Sequence, residues 1–137
     1  MTKYILGISI VTDKKEVFLT DRRKIIKAIE VCDNSKANKL LDAISSLFID
    51  MDISNIGKIV VVNGVGPYTS TRVGVVIANA LSFTQNCEIF EVNTEILDGR
   101  KLSDYLIKNG MNNLKKVRLS MPIYSSLPTI TKPKCSI

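Results

Sequence analysis

The chain has 137 residues, 45% of them hydrophobic, which supports one domain with a proper core but not two independent ones. It contains no histidine, so the commonest general base and the commonest metal ligand are both missing. Nineteen lysines and arginines against 13 acidic residues give a formal net charge of +6, which favours nucleic acid or an acidic protein as partner. The lysines are scattered and do not alternate with aromatics, so no stacking platform for bases is present.

Met1-Thr2-Lys3-Tyr4 leads directly into an apolar run without the layout of a signal peptide. Residues 4–11, YILGISIV, read as a strand, and residues 16–20, EVFLT, as a shorter second one. Residues 24–32 alternate imperfectly and give a third. Short polar turns join the three into an antiparallel meander. Asp33-Asn34-Ser35 supplies helix N-cap candidates. From 36 to 51 the apolar positions Ala37, Leu40, Leu41, Ile44, Leu47, Phe48 and Met51 form an i, i+3, i+4, i+7 stripe, which predicts an amphipathic helix.

The stretch from 58 to 83 is the most informative. Ile59-Val60-Val61-Val62 is a β-branched run suited to a strand buried on both faces. A turn rich in small residues comes next, from Asn63 to Thr71. Such a turn either just joins strand to helix or aims backbone N–H groups at an anion. Its spacing fits neither of the usual nucleotide fingerprints. Thr69, Ser70 and Thr71 are candidate caps for a helix over 71–83. Arg72 suits a phosphate or carboxylate, or else an ion pair at the domain edge. Tyr68 is open to a partner or packed over the loop. Gly74, Ala78 and Ser82 recur every four residues, a stripe that lets another backbone come close. Val73, Val75, Val76, Ile77, Ala80, Leu81 and Phe83 surround it, so this helix lacks a polar face. Such a helix is buried on more than one side, within its own domain or against a partner.

Residues 88–92, EIFEV, read as a fifth strand. Asn93-Thr94-Glu95 caps a stretch that is helical from about 101 to 108 and ends at Asn109-Gly110. Residues 115–119 suit a short edge strand, and the tail from 121 carries Pro122, Pro128 and Pro133, which exclude a regular helix. No apolar run approaches the roughly 20 residues needed to cross a bilayer, so no membrane is expected as partner. Cys32, Cys87 and Cys135 are odd in number and lack a C-x-x-C pair, which suits free thiols and a cytoplasmic location. Cys87, ahead of a buried strand, reads as a small hydrophobe.

The order is three strands, helix, strand, helix, strand, helix, with two right-handed crossovers after the meander. This is the βββαβαβα order of α/β domains of the actin-like, ribonuclease H-like class. Metal-dependent members of that class carry a carboxylate on the first strand. Here the middle of that strand is Gly7-Ile8-Ser9-Ile10, with no carboxylate before Asp13. This argues against a two-metal nuclease and against an autonomous ATPase.

Gly64-Val65-Gly66-Pro67, continued by Tyr68-Thr69-Ser70-Thr71-Arg72-Val73-Gly74, resembles the G-x-G-P-G-S-F-T-G-x-R-x-G signature of the TsaB (YeaZ) family. VVIANALSF is similar to that family's small-residue helix, EIFEVNT to the strand and turn after it, and the Pro122-Ile123-Tyr124 … Pro133-Lys134 ending to its C-terminal motif. The sequence departs from the family where the signature's Gly-Ser pair is deleted and Ile8-Ser9-Ile10-Val11 replaces I-D-T-S. It also lacks the histidine before the first helix and has little between Glu95 and the tail. The resemblance implies a shortened member, with residues 1–110 as the actin-like N-terminal domain and 111–137 as a remnant of the second domain with the tail.

It implies a protein that is not itself an enzyme and carries no cofactor, metal or catalytic residue. Such a subunit binds and activates TsaD, which makes threonylcarbamoyladenosine in tRNA, with the ATPase TsaE joining them and tRNA reached indirectly. The family pairs with TsaD through two helices, here 36–51 and 71–83. The expected contacts are Leu40, Ile44 and Leu47 on the first and Val73, Gly74, Ile77, Ala78 and Leu81 on the second. The signature loop maps to Gly64, Gly66, Pro67, Thr69 and Arg72. A homodimer through the same helices and a small ATP-binding protein using the glycine turn are the alternatives.

Overall fold

The computed structural model describes residues 4–10, 15–21, 23–31, 37–64, 68–111 and 114–118, and the side chains of 37, 38 and 68–72 lie outside the description. In chain order the elements are β1 (Tyr4–Ser9), β2 (Glu16–Thr20), β3 (Ile25–Glu30), α1 (Ala37–Leu47), β4 (Ile56–Asn63), α2 (Tyr68–Gln85), β5 (Glu88–Asn93), α3 (Thr94–Leu97), α4 (Leu102–Asn109) and β6 (Lys115–Val117), with a single 3₁₀ turn at Ile53–Asn55. The strands form one mixed sheet in the order β3-β2-β1-β4-β5-β6. β1, β4 and β5 are parallel neighbours, and the outer pairings are antiparallel. This is the expected order, and β6 is the expected short edge strand.

Alternation along the central strands divides the core in two. Leu6, Ile8, Val17, Leu19, Ile59, Val61 and Ile89 meet Leu40, Ile44 and Leu47 of α1 and Val75, Ile77 and Ala78 of α2. On the opposite face Ile5, Phe18, Val60, Val62 and Val92 meet Leu97 of α3 and Leu102, Tyr105 and Leu106 of α4. The sheet is therefore a middle layer with helices on both sides. That is why β4 reads as an unbroken β-branched run: consecutive residues enter different cores. Each such side chain contributes about 1.5–3 kcal/mol by leaving water.

Local signals set the helix ends. The Asn93 side chain accepts from the Glu95 N–H at 2.9 Å and caps the short α3, a separate helix ahead of the expected one, which begins at Leu102 behind Lys101. Gly110, at φ 69°, closes α4 with its N–H donating to the Leu106 carbonyl at 2.8 Å. α2 stops at Asn86, which is left-handed at φ 51°, and the Cys87 N–H reaches back to the Ser82 carbonyl at 3.1 Å, the Schellman pattern. α1 ends at Leu47, earlier than the predicted 51, because Phe48, Met51 and Ile53 continue packing on the core after the helix has turned away. The capping cluster Asp33-Asn34-Ser35 and the tail lie outside the described residues.

Gly7, on β1, faces Phe18 across the β1–β2 pair. A Cβ there would run into the Phe18 ring. The position is occupied by an aromatic lid and is a core contact.

Candidate functional site

The turn after β4 and the helix it leads into carry most of the residues singled out by the sequence. Gly64 is buried, and a Cβ on it would come 2.5 Å from Thr94 Oγ1 and 2.9 Å from its methyl carbon. Two pieces of the sequence pattern, the glycine turn and the V-N-T turn after β5, thus meet in space. Glycine at 64 is required by that close approach. Beside it, the buried Asn63 pairs with Asn93 in register and donates from Nδ2 to Glu91 Oε2 at 3.0 Å. Gly66 and Pro67 lie outside the described residues, as do the side chains of Tyr68, Thr69 and Arg72. α2 begins at Tyr68, three residues earlier than predicted. The backbones of Thr69, Ser70 and Thr71 are therefore already helical and do not precede the helix as caps.

The small-residue stripe of α2 points inward. A Cβ on Gly74 would lie 3.0 and 3.1 Å from Ile10 Cγ1 and Cδ1 and 3.8 Å from Ile8 Cγ2. Ala78 is fully buried against the same core, and Ser82 Oγ donates to the Cys87 carbonyl at 2.6 Å. What approaches the stripe at Gly74 is the chain's own sheet, through the Ile8 and Ile10 side chains. The expected contact residues divide by burial in the isolated chain. Gly74, Ile77 and Ala78, together with Leu40, Ile44 and Leu47 of α1, form the core beneath the helices and are not free to touch a partner. Val73 and Leu81 are half-buried at the margin.

The opposite side of α2 is where an apolar surface remains. Val76 is 56% exposed and Phe83 87% exposed, with Ala80 exposed between them. Their spacing places all three on one side of the helix. From the sequence these residues count only as surroundings of the stripe. The signal for their exposure is their position on the helical wheel, opposite Gly74 and Ala78. On α1, Leu41 is 47% exposed, at the margin of the stripe that buries Leu40 and Ile44.

Charge elsewhere is used structurally. Glu16 is buried, and its Oε2 accepts from the Ser103 N–H at 3.1 Å in the first turn of α4, favoured there by the helix dipole. It ties the N-terminal meander to a helix 87 residues away. Asp21 accepts from the Arg23 and Lys24 N–H groups at 3.0 and 3.1 Å, which lowers its pKa. Lys116 Nζ lies 2.7 Å from Glu88 Oε2, and that hydrogen bond holds the Glu88 carboxyl below its ordinary value. Among the described residues no group of three acidic, histidine or cysteine side chains is arranged to hold a metal ion. Among those same residues no helix is long and apolar enough to cross a membrane.

No protein-family model matches the sequence, and no curated protein matches it. Solved structures do match the fold. YeaZ from Pseudomonas aeruginosa superposes with a TM-score of 0.59 at 20% identity, over 66% of this chain and 44% of that one. A second structure from Pseudomonas aeruginosa, described as an uncharacterised protein similar to peptidase YeaZ, gives a TM-score of 0.59 at 18% identity, over 72% and 49% of the two chains. The fold is thus that of the YeaZ structures, and the chain spans less than half the length of either of them.

Proposed function

We propose that this protein is a non-catalytic, TsaB-like partner subunit, working in the cytoplasm within the machinery that makes threonylcarbamoyladenosine in tRNA. The observation that carries the reading is the outward apolar strip of α2, Val76, Ala80 and Phe83, on a chain with the fold of YeaZ. The resemblance of the 64–74 turn to the TsaB signature supports it. In this reading the strip seats a helix of TsaD, Leu41 on α1 adds to the rim, and binding holds TsaD in its competent conformation. TsaE joins through the complex, and tRNA is met through TsaD. An aromatic side chain as exposed as Phe83, set among smaller apolar neighbours, has the character of an interface anchor. Gly64 and its contact with Thr94 set the turn that launches α2, so the signature glycine acts by placing the interaction helix.

Co-purification with TsaD from the same source, followed by mass determination, tests this. A stable one-to-one heterodimer is expected. A chain that stays monomeric in the presence of TsaD refutes the reading. The same strip would suit a second copy of the chain, and a homodimer that TsaD fails to displace would establish self-association instead.

A further inference from the structure

We infer that the β4-β5-β6 ladder carries, around Phe90, a docking surface for the phosphate backbone of a single-stranded RNA, held by Lys58, Lys116 and Arg118. Strand register builds the surface. Lys58 lies opposite Glu88, and Phe90 lies opposite Lys116. Glu88, Phe90 and Val92 alternate along β5, and Phe90 and Val92 belong to the core under α3 and α4, so the group sits on that side of the sheet. The contacts agree. Lys58 Nζ stands 5.9 Å from the centre of the Phe90 ring, and Lys116 Nζ lies 2.7 Å from Glu88 Oε2. Glu88, Lys116 and Arg118 are exposed, and Lys58 and Phe90 are half-buried. Arg118 directly follows β6. Cations far apart in the sequence are thus gathered across three strands.

Charge selects the partner. Three cations against one carboxylate leave the surface positive, the same sign as the net charge of +6 on the whole chain. β4 and β6 are two strand spacings apart, roughly 9.5 Å, so the positive charge is spread over a width and not focused on one point. A nucleic-acid strand carries a negative charge on every nucleotide and meets such a spread along its length. Phe90, between the cations, adds part of an aromatic face on which a base can stack, a feature of no use to the carboxylates of an acidic protein. Phosphate contacts of this kind hold the strand without reading its sequence. The binding is a property of the chain itself. Its use as this subunit's own hold on tRNA, beside the one made through TsaD, rests on the function proposed above.

Fluorescence anisotropy of a labelled oligouridine with the full-length protein, repeated over a range of salt, tests this. Each phosphate contact on a single strand adds about 0.7 to the steepness of log K against log salt, so Lys58→Gln with Arg118→Gln should flatten that slope by about 1.4. Arg23→Gln with Lys39→Gln removes the same charge from the β2–β3 turn and from α1, and should leave the slope as it was. Glu88→Gln releases Lys116 from its carboxylate and should tighten binding several-fold. Thermal melts confirm that each variant folds, and Arg118→Gln alone, beyond the strand, gives half the flattening if Lys58→Gln disturbs the sheet. Equal flattening by the two double variants overturns the inference, because net charge alone would then account for binding. A parent protein that ignores the oligouridine overturns it too. Polyglutamate held as tightly as oligouridine also overturns it and assigns the surface to an acidic protein. Failure to bind TsaD with the slopes as expected would overturn the partner reading and leave this inference standing.

Discussion

Gly74 separates a fold contact from a partner contact, and Gly74→Leu tests which it is. The new Cβ would meet Ile10 at 3.0 and 3.1 Å, a few tenths of an ångström too close, and the remaining three carbons would be directed at Ile8 and Ile10 with no space to receive them. Overpacking of this kind costs about 1–3 kcal/mol, and leucine's upper-end demand is offset by nearly 1 kcal/mol of helix propensity gained on replacing glycine. The net expectation is a loss of about 2 kcal/mol in the isolated chain, a fall in Tm of roughly 6–8 °C for a protein of this size. Phe83→Ser, at a side chain 87% exposed, should change the stability of the isolated chain by less than about 0.5 kcal/mol. It should instead weaken TsaD binding by about 2 kcal/mol, roughly 30-fold in Kd. Differential scanning calorimetry on the lone chain and titration calorimetry with TsaD read the two effects separately. A Gly74→Leu protein that melts like the parent yet fails to bind TsaD would refute this reasoning, because its glycine would then face the partner and not β1.

The packing sets three further expectations. Gly64→Ala forces a methyl against the Thr94 hydroxyl and should cost about 1–3 kcal/mol, and Thr94→Ala in the same chain should recover part of it, a coupling that a double-mutant cycle in urea measures. Glu16→Ala leaves the Ser103 N–H buried without its acceptor, for about 1–3 kcal/mol, whereas Glu16→Gln keeps a carbonyl there and should lose less; equal losses from both would argue against the hydrogen bond. Glu88 has a lowered folded pKa, so its stabilising pair with Lys116 is fully present above the ordinary glutamate value of 4.5 and is lost as pH falls through the folded value. A carboxyl-resolved NMR titration should show Glu88 with a midpoint below that value, moving up towards it in Lys116→Ala.

The element order is legible because each layer leaves its own period in the chain. β4 shows it most clearly: an unbroken β-branched run marks a strand with helices on both faces, and both faces are filled. The Asn93 cap and the Gly110 stop are legible for a related reason, since they are settled within four residues of chain. The start of α2 is not legible, because Tyr68-Thr69-Ser70-Thr71 has the composition of a turn and yet lies within the helix. The direction in which the small-residue stripe of α2 faces is not legible either. A small-residue stripe announces that something comes close, but the spacing is the same whether that is a partner's helix or the β1 side of the sheet with Ile8 and Ile10. Contacts that join distant positions, Gly64 to Thr94 and Glu16 to Ser103, leave no local pattern at all.

β6 is three residues long, the Lys116–Glu88 pair joins it to β5, and Lys115, Lys116 and Arg118 make this short edge cationic. A sheet that ended at β5 would present an open row of amides and carbonyls to any passing strand. With a stub this brief and this densely cationic along that margin, a second chain gains few ladder bonds and brings like charges together. Edge-to-edge stacking into fibrils is thus suppressed on the β6 side. Association along that margin is discouraged by the same cations that mark the short ladder.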